Sequence, residues 1–293
     1  MDGRNGAKKI VEKGQAKINL GLDILGMRPD RYHEVAMLMQ SLALADTVAL
    51  TDAPELVVTT DRDDLEGGPS NLAYQAAELM GRFARRTPRV HIHIEKKIFL
   101  AAGLAGGSTD AAAVLRGLNR YWELDLPADR LERLGAQLGS DVPFCVRGGT
   151  SLATGRGEIL TPLPDLPVQY IVLAKPRVAV STPWAYREYD KQKNVVHPDI
   201  AALADAVRQG RVDKLPRLLG NVLEPVTAAA HAEIGEIKQV MRGHGALAAM
   251  MSGSGPTVFG IAPTREAAAA IADRLAARDL EIAVTETTGR MKR

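Results

Sequence analysis

The order of patterns along the chain predicts an α+β protein built in two layers, and three stretches carry that expectation. Ala16 to Ile24 alternates strictly: Ile18, Leu20, Leu22 and Ile24 share one face, Lys17, Asn19, Gly21 and Asp23 the other, as on a strand. Lys96 to Asp110 reads as strand, bare loop and helix start, running directly into Ala111-Ala112-Ala113-Val114-Leu115. Beyond Thr161-Pro162-Leu163-Pro164-Asp165-Leu166-Pro167, the best candidate for a domain boundary, the remaining chain reads β-α-β-β-α-β once a helical insert is collapsed.

Composition bounds the function. At 293 residues the chain can hold two domains with a core each. Its 46% hydrophobic and 25% charged residues are the balance of a soluble globular protein. A formal charge of +2 is too small and too dispersed for a nucleic-acid partner, which calls for clustered Lys and Arg. Cys145 is the sole cysteine, so no intrachain disulfide is expected. No apolar run approaches the roughly 20 residues of a membrane span, and the polar lead Met1 to Gly6 lacks the apolar core of a leader peptide. A cytoplasmic protein with no membrane partner is the expectation; the oligomeric state is left open.

After the first strand, Gly26 to Arg31 reads as a turn ending in Tyr32-His33-Glu34. A ring there either stacks on a flat ligand or packs back on the core. Val35 to Leu44, Thr47 to Thr51 and Leu56 to Thr60 are rich in Val, Leu and Thr and read as separate strands. Ser70-Asn71 caps a helix through Ala84, with Leu72, Ala76, Leu79, Met80 and Phe83 inward. Val90 to Ile94 alternates, with His91 and His93 on its polar face; with nothing nearby to complete a metal site, they read as structural.

Helices follow over Asp110 to Trp122 and about Pro127 to Leu138, then Gly139-Ser140-Asp141-Val142-Pro143-Phe144-Cys145. Asp141 is expected on a corner between a helix and an extended segment, where it is either an Asx-turn residue or a positioned acid. Thr150 to Thr154 and Glu158 to Leu160 pair across a Gly-Arg-Gly turn. The last third gives a strand over Val168 to Ala174 and helices over Pro183 to Lys191, Asp199 to Gln209, Val212 to Leu219 and Ala228 to Arg242. Strands over Ala246 to Met251 and Thr257 to Ala262 flank Ser252-Gly253-Ser254-Gly255-Pro256, before a helix over Arg265 to Ala277 and a strand over Glu281 to Thr287. That is the ferredoxin-like order.

The loop at Phe99 to Thr109 carries the chemistry. Small side chains let backbone N–H groups approach an anion, and the helix behind adds unpaired N–H groups and a positive dipole end. No Lys-Ser or Lys-Thr pair closes it as a Walker motif would, and its glycines miss the dinucleotide spacing. It is either a phosphate cradle or a Gly-rich turn in which Ser108 caps a helix. Lys17 and Asn19, about 7 Å apart by strand rise, make either an exposed polar face or part of a site.

Taken together in order, Ala16-Lys17-Ile18-Asn19-Leu20, the glycine run, Gly139 to Phe144 and Ser252 to Thr257 resemble the motifs of the GHMP kinases, over nearly the whole length. Within them the likeness is to the branch acting on a cytidine diphosphate ester of a methylated sugar alcohol. The resemblance implies a GHMP kinase fold, with an N-terminal ribosomal-protein-S5-domain-2-like domain (residues 1–163) and a C-terminal ferredoxin-like domain (residues 164–293). It implies transfer of phosphate from ATP, with Mg²⁺, to an alcohol of that small molecule.

Lys17 and Asp141 match the catalytic pair, and Phe99, Leu100, Ala101, Ala102, Gly103, Leu104, Ala105, Gly106, Gly107, Ser108 and Thr109 match the ATP loop. Asn71 and Lys96 match positions bordering the nucleotide. Asn19, Tyr32 and His33 match the substrate side, where cytosine is held by a ring stack and by hydrogen bonds at a His. Tyr186 aligns with a second stacking ring, with Trp184 the alternative. Ser108 is a candidate Mg²⁺ hydroxyl, whereas Asp110 in the helix's first turn is explained equally by the dipole. The chain departs from the family in Phe99, where Pro is usual, and in Ala101, Ala102 and Ala105, where Gly is frequent. Rival readings are a sibling kinase for mevalonate, homoserine or a sugar, and a non-catalytic nucleotide-binding protein.

Overall fold

The computed structural model describes residues 8–291, so the polar lead Met1 to Gly6 lies outside the described residues. The chain forms two compact units, each visited more than once: one holds the residues up to Ala16, Ala45–Ile98 and Ala105–Arg147, the other Lys17–Leu44, Phe99–Leu104 and Gly148 onward. Two long neighbouring strands, β1 (Lys9–Met27) and β2 (His33–Asp52), contribute residues to both.

In the first unit the end of β2 pairs antiparallel with β4 (Val90–Glu95), which pairs parallel with β3 (Val57–Thr60). Alternation works as the pattern predicts: Val90, Ile92 and Ile94 are buried with Val48 and Leu50. Helix α1 (Leu72–Ala84) packs on α2 (Gly106–Tyr121), and α2 in turn on α3 (Ala128–Gly135) and α4 (Val142–Arg147). Helix α2 is buried over nearly its whole length, and Gly117 lets Leu50 approach where a Cβ would stand 2.7 Å from its methyl. Next to it the Arg116 guanidinium donates to the carbonyls of Lys13 (2.6 Å), Cys145 (2.8 Å) and Val146 (3.3 Å) and to Glu12. It thereby satisfies the carbonyl end of α4.

In the second unit β7 (Tyr170–Pro176), β9 (Ala248–Met251), β10 (Val258–Ala262) and β11 (Leu280–Glu286) form an antiparallel sheet in the order β11-β7-β10-β9, the ferredoxin-like order. Helices α9 (Glu233–Gly243) and α10 (Arg265–Leu275) pack on it. The insert holds α5 (Thr182–Tyr189), α6 (Ile200–Arg208), α7 (Leu215–Leu218) and α8 (Glu224–Ala230). The first part of β2 pairs with β5 (Thr150–Thr154), which pairs with β6 (Ile159–Pro162). A two-residue strand, β8 (Gly220–Asn221), runs parallel to β1 at Gly21 and Leu22.

Four expectations are corrected. Val35 to Thr51 is one strand, because Asp46, placed like a turn residue, is instead buried and accepts the N–H groups of Lys97 (2.6 Å) and Ile98 (2.9 Å). Helix α2 starts at Gly106, not Asp110, and its N-cap is Ala105 rather than Ser108. Val142-Pro143-Phe144 does not leave as an extended segment: Pro143 sits in the first turn of α4, where a missing N–H costs nothing. The helix expected over Ala228 to Arg242 is two, broken at His231, whose φ of −135° and ψ of 90° are not helical. His91 and His93 both hydrogen-bond Thr59 Oγ1, at 2.7 and 2.9 Å.

Candidate active site

In the second unit, the polar face of β1 is buried, not solvated: Lys17 and Asn19 are 4% and 0% exposed. Burial forces partners on such groups. Lys17 Nζ donates to Asn19 Oδ1 at 2.7 Å, and the Lys17 N–H to the carbonyl of Leu104 at 3.2 Å. The Ser252 hydroxyl, also buried, accepts from the Asn19 N–H (3.3 Å) and donates to the carbonyl of Gly103 (3.0 Å). Asn221 Nδ2 donates to the carbonyls of Met251 and Gly253, fixing the glycine turn from below. The fourth sequence motif is thus tied to the loop and to β1. Ser252 stood inside a recognised motif without being read as a site residue; a serine between two glycine-flanked strands was the available signal.

The glycine run bends through left-handed torsions at Ala101 (φ 48°), Gly103 (φ 72°) and Ala105 (φ 60°) before α2 begins. Gly103 alone has no room for a side chain: a Cβ would lie 2.2 Å from the Ser252 carbonyl oxygen. Left-handed Ala105 followed by helical Gly106 is the torsion pairing from which anion nests are built. At the start of α2, Gly107 is exposed and Ser108 half-buried, while Thr109 turns its hydroxyl to the Gly106 carbonyl at 2.8 Å.

In the first unit, the Lys96 ammonium lies buried between Asp46 and Asp110, bonding Asp110 Oδ2 at 2.6 Å. Gly106 lies alongside, where a Cβ would stand 3.6 Å from Nζ. Burial pulls the Lys96 ammonium down, and the Asp110 and Asp46 charges more than offset it, so its pKa is raised. Burial pushes the Asp110 carboxyl up to about 7 against the opposing pull of Lys96, and Asp110 Oδ1 is buried without a hydrogen-bond partner. Asp46 was not read as a site residue; its partners lie fifty positions away. Asn71 caps α1, accepting the Ala73 N–H at 2.9 Å. Asp141, half-buried, directly precedes α4 and accepts the Cys145 N–H on its carbonyl at 3.1 Å.

Around the Tyr32-His33 turn, the Tyr32 ring is 54% exposed, with the Arg156 guanidinium 4.8 Å from its centroid. His33 Nε2 lies 2.7 Å from Asp190 Oδ1, and its ring centroid 4.8 Å from that of Tyr186. Trp184 goes elsewhere, its ring packing edge-on to His231 at 6.2 Å. Asp23, on the same face of β1 as Lys17, accepts from the Ile24 N–H and pairs with His197 Nδ1 at 2.7 Å. Among the described residues no group of three or more His, Cys, Asp or Glu could hold a metal ion, and no helix is long and apolar enough to cross a membrane.

A loop with left-handed torsions leading into a long helix, a buried Lys-Asn pair on an early strand and a ferredoxin-like sheet are the features that the resemblance to small-molecule kinases of the GHMP class implied. The family descriptions "GHMP kinases N terminal domain" and "GHMP kinases C terminal" match residues 71–149 and 201–280. A 4-diphosphocytidyl-2-C-methyl-D-erythritol kinase of Bacillus velezensis is 50% identical over 255 residues, 86% of this chain and 88% of that protein. One of a Synechococcus species is 48% identical over 285 residues, covering 93% and 92%. A crystal structure of 4-(cytidine 5'-diphospho)-2C-methyl-D-erythritol kinase superposes with a TM-score of 0.81 at 32% identity, covering 96% of this chain and all of that one. The chain belongs to the 4-diphosphocytidyl-2-C-methyl-D-erythritol kinase family of GHMP kinases. It is an ATP-using kinase. The mevalonate kinase of L. major, at 17% identity and TM-score 0.79, shares the fold.

Proposed function

We propose that the protein transfers the γ-phosphate of ATP to the 2-hydroxyl of 4-diphosphocytidyl-2-C-methyl-D-erythritol, a step of the non-mevalonate route to isoprenoid precursors. The observation that carries the acceptor is the 50% identity to relatives of that name across 86% of the chain. Phosphoryl transfer asks a protein for position and charge stabilisation, because the transition state spreads charge over the γ-phosphate oxygens. The loop amides of Phe99 to Thr109 and the start of α2 supply that field. Asp141 takes the proton of the attacking hydroxyl, a role typically worth roughly 10²–10⁴-fold. Lys17, oriented by Asn19, shares the charge that builds on the attacking oxygen. Asn71 and Lys96 flank the nucleotide; Lys96, held by two carboxylates, does so as part of the frame of the loop. Tyr32, His33 and Tyr186 take the cytosine.

Mg²⁺ supplies neutralisation of the phosphate charge. The lack of a carboxylate cage among the described residues fits a cation held largely by phosphates and water, and the half-buried Ser108 hydroxyl is its protein ligand in this reading. As sequence domains we keep 1–163 and 164–293, a reading supported by family matches that fall on either side of the proline-rich stretch, while the compact units interleave across it. The enzyme works in the cytoplasm on small molecules alone. The test is ADP release with 4-diphosphocytidyl-2-C-methyl-D-erythritol against mevalonate, homoserine and galactose: acceptor-dependent release with the cytidyl compound only is expected, and equal release with mevalonate would overturn the assignment.

A further inference from the structure

Helix α5 and its C-cap residue Asp190 place three side chains on one ring. Tyr186, Tyr189 and Asp190 stand at i, i+3 and i+4 and so share a face. All three meet His33: Tyr186 at 4.8 Å with planes tilted by 36°, Tyr189 edge-on at 6.5 Å, and Asp190 Oδ1 at 2.7 Å from Nε2. The imidazole is 12% exposed and Asp190 41%, so the ring is clamped while the carboxylate reaches it from a wetter side. Burial raises the Tyr189 hydroxyl above its ordinary range, and the Asp23 and Asp190 charges add to it.

We propose that Asp190 is a positioning residue that fixes the hydrogen of His33 on Nε2 and thereby makes the base-reading turn prefer a 4-amino pyrimidine over a 4-oxo one. An ionised carboxylate only accepts hydrogen bonds, so the nitrogen facing it carries the hydrogen. In the neutral ring the other nitrogen, Nδ1, is then an acceptor, and the partner of one nitrogen sets the role of the other. An acceptor at Nδ1 complements the 4-amino group of cytosine, which donates, and opposes the O4 of uracil, which presents lone pairs. Discrimination of this kind comes from leaving the wrong ligand's polar group facing an unmatched one. The sequence could not reveal this pair, since 157 positions separate the two residues. The inference rests on the reading in which the acceptor's cytosine lies at Tyr32 and His33.

The experiment uses the full chain, with CDP and UDP as calorimetric ligands and ¹⁵N-labelled histidine to report the ring nitrogens. The wild type should bind CDP more tightly than UDP and show the Nε2–H form of His33. Asp190→Ala should lower the CDP-to-UDP affinity ratio by about 10-fold, the worth of one hydrogen bond near the upper end of the usual range, and mix the two ring forms. Asp190→Glu should restore part of both. A purely structural role for Asp190 would weaken CDP and UDP equally and leave the ratio in place, which overturns the proposal. So does an Asp190→Ala protein whose His33 stays wholly in the Nε2–H form. If the wild type binds CDP and UDP alike, the placement of the base at this turn falls, and the proposal falls with it. The ring spectrum keeps that failure distinct from a failure of the Asp190 assignment.

Discussion

Gly103→Ala tests the joint between the glycine-rich loop before α2 and the glycine turn of the last sheet. Two costs add. An alanine at φ 72° carries the left-handed penalty of roughly 1–2 kcal/mol. Its Cβ would also stand 2.2 Å from the Ser252 carbonyl oxygen and 3.2 Å from that of Gly255. Both are backbone atoms; the Ser252 oxygen must retreat by about 1 Å and the Gly255 oxygen by far less, and overpacking of this kind costs about 1–3 kcal/mol. Stiffening the unfolded chain returns about 0.4–1 kcal/mol. The net is a loss of about 3 kcal/mol, read as a lower urea midpoint by circular dichroism, together with weaker ATP binding by calorimetry. Ala105→Gly is the control of opposite sign: at φ 60° it relieves the same penalty, for a gain of about 0.5 kcal/mol. A Gly103→Ala protein within about 0.5 kcal/mol of wild type would refute the backbone-contact argument.

Other outcomes follow from the same geometry. Lys96→Met leaves Asp46 and Asp110 buried without their cation and should cost about 3–5 kcal/mol in urea unfolding; a near-neutral result would mean the cluster is hydrated. The folded Asp110 carboxyl, at about 7 against an ordinary 3.8, holds a proton that the unfolded chain releases, so its contribution to stability declines as pH rises through that window. Urea melts near pH 5 and near pH 8 should therefore differ less for Asp110→Asn than for wild type. Asp141→Asn should retain both substrates in binding assays while turnover drops by roughly 10²–10⁴-fold; wild-type turnover would remove the base assignment.

Much of this architecture could be read residue by residue. Ile18, Leu20, Leu22 and Ile24 announced β1, and Asn71 announced α1, because alternation and capping are local properties. The polar side of β1 was ambiguous for a physical reason. Residues as distant as Ser252, 233 positions beyond Asn19, close on this part of β1, and a period-two pattern carries no information on what covers its second face. The break expected between Leu44 and Thr47 failed in the same way: Asp46 is held within the strand by the Lys97 and Ile98 amides, some fifty positions on. Val142-Pro143-Phe144 misled because proline's veto on helices lapses in a first turn. The Tyr32-His33 pair was visible in the sequence, whereas Asp190, which meets the imidazole from the end of α5, lies 157 positions away and was not.

The buried Arg116 has a consequence for how the family can vary. Its flat, forked head addresses carbonyls of β1 and of the last turn of α4 in several directions at once, besides Glu12. A lysine would keep the charge and lose the fan of donors. In a saturation library selected for growth, this position should accept arginine and reject almost every other residue, lysine included.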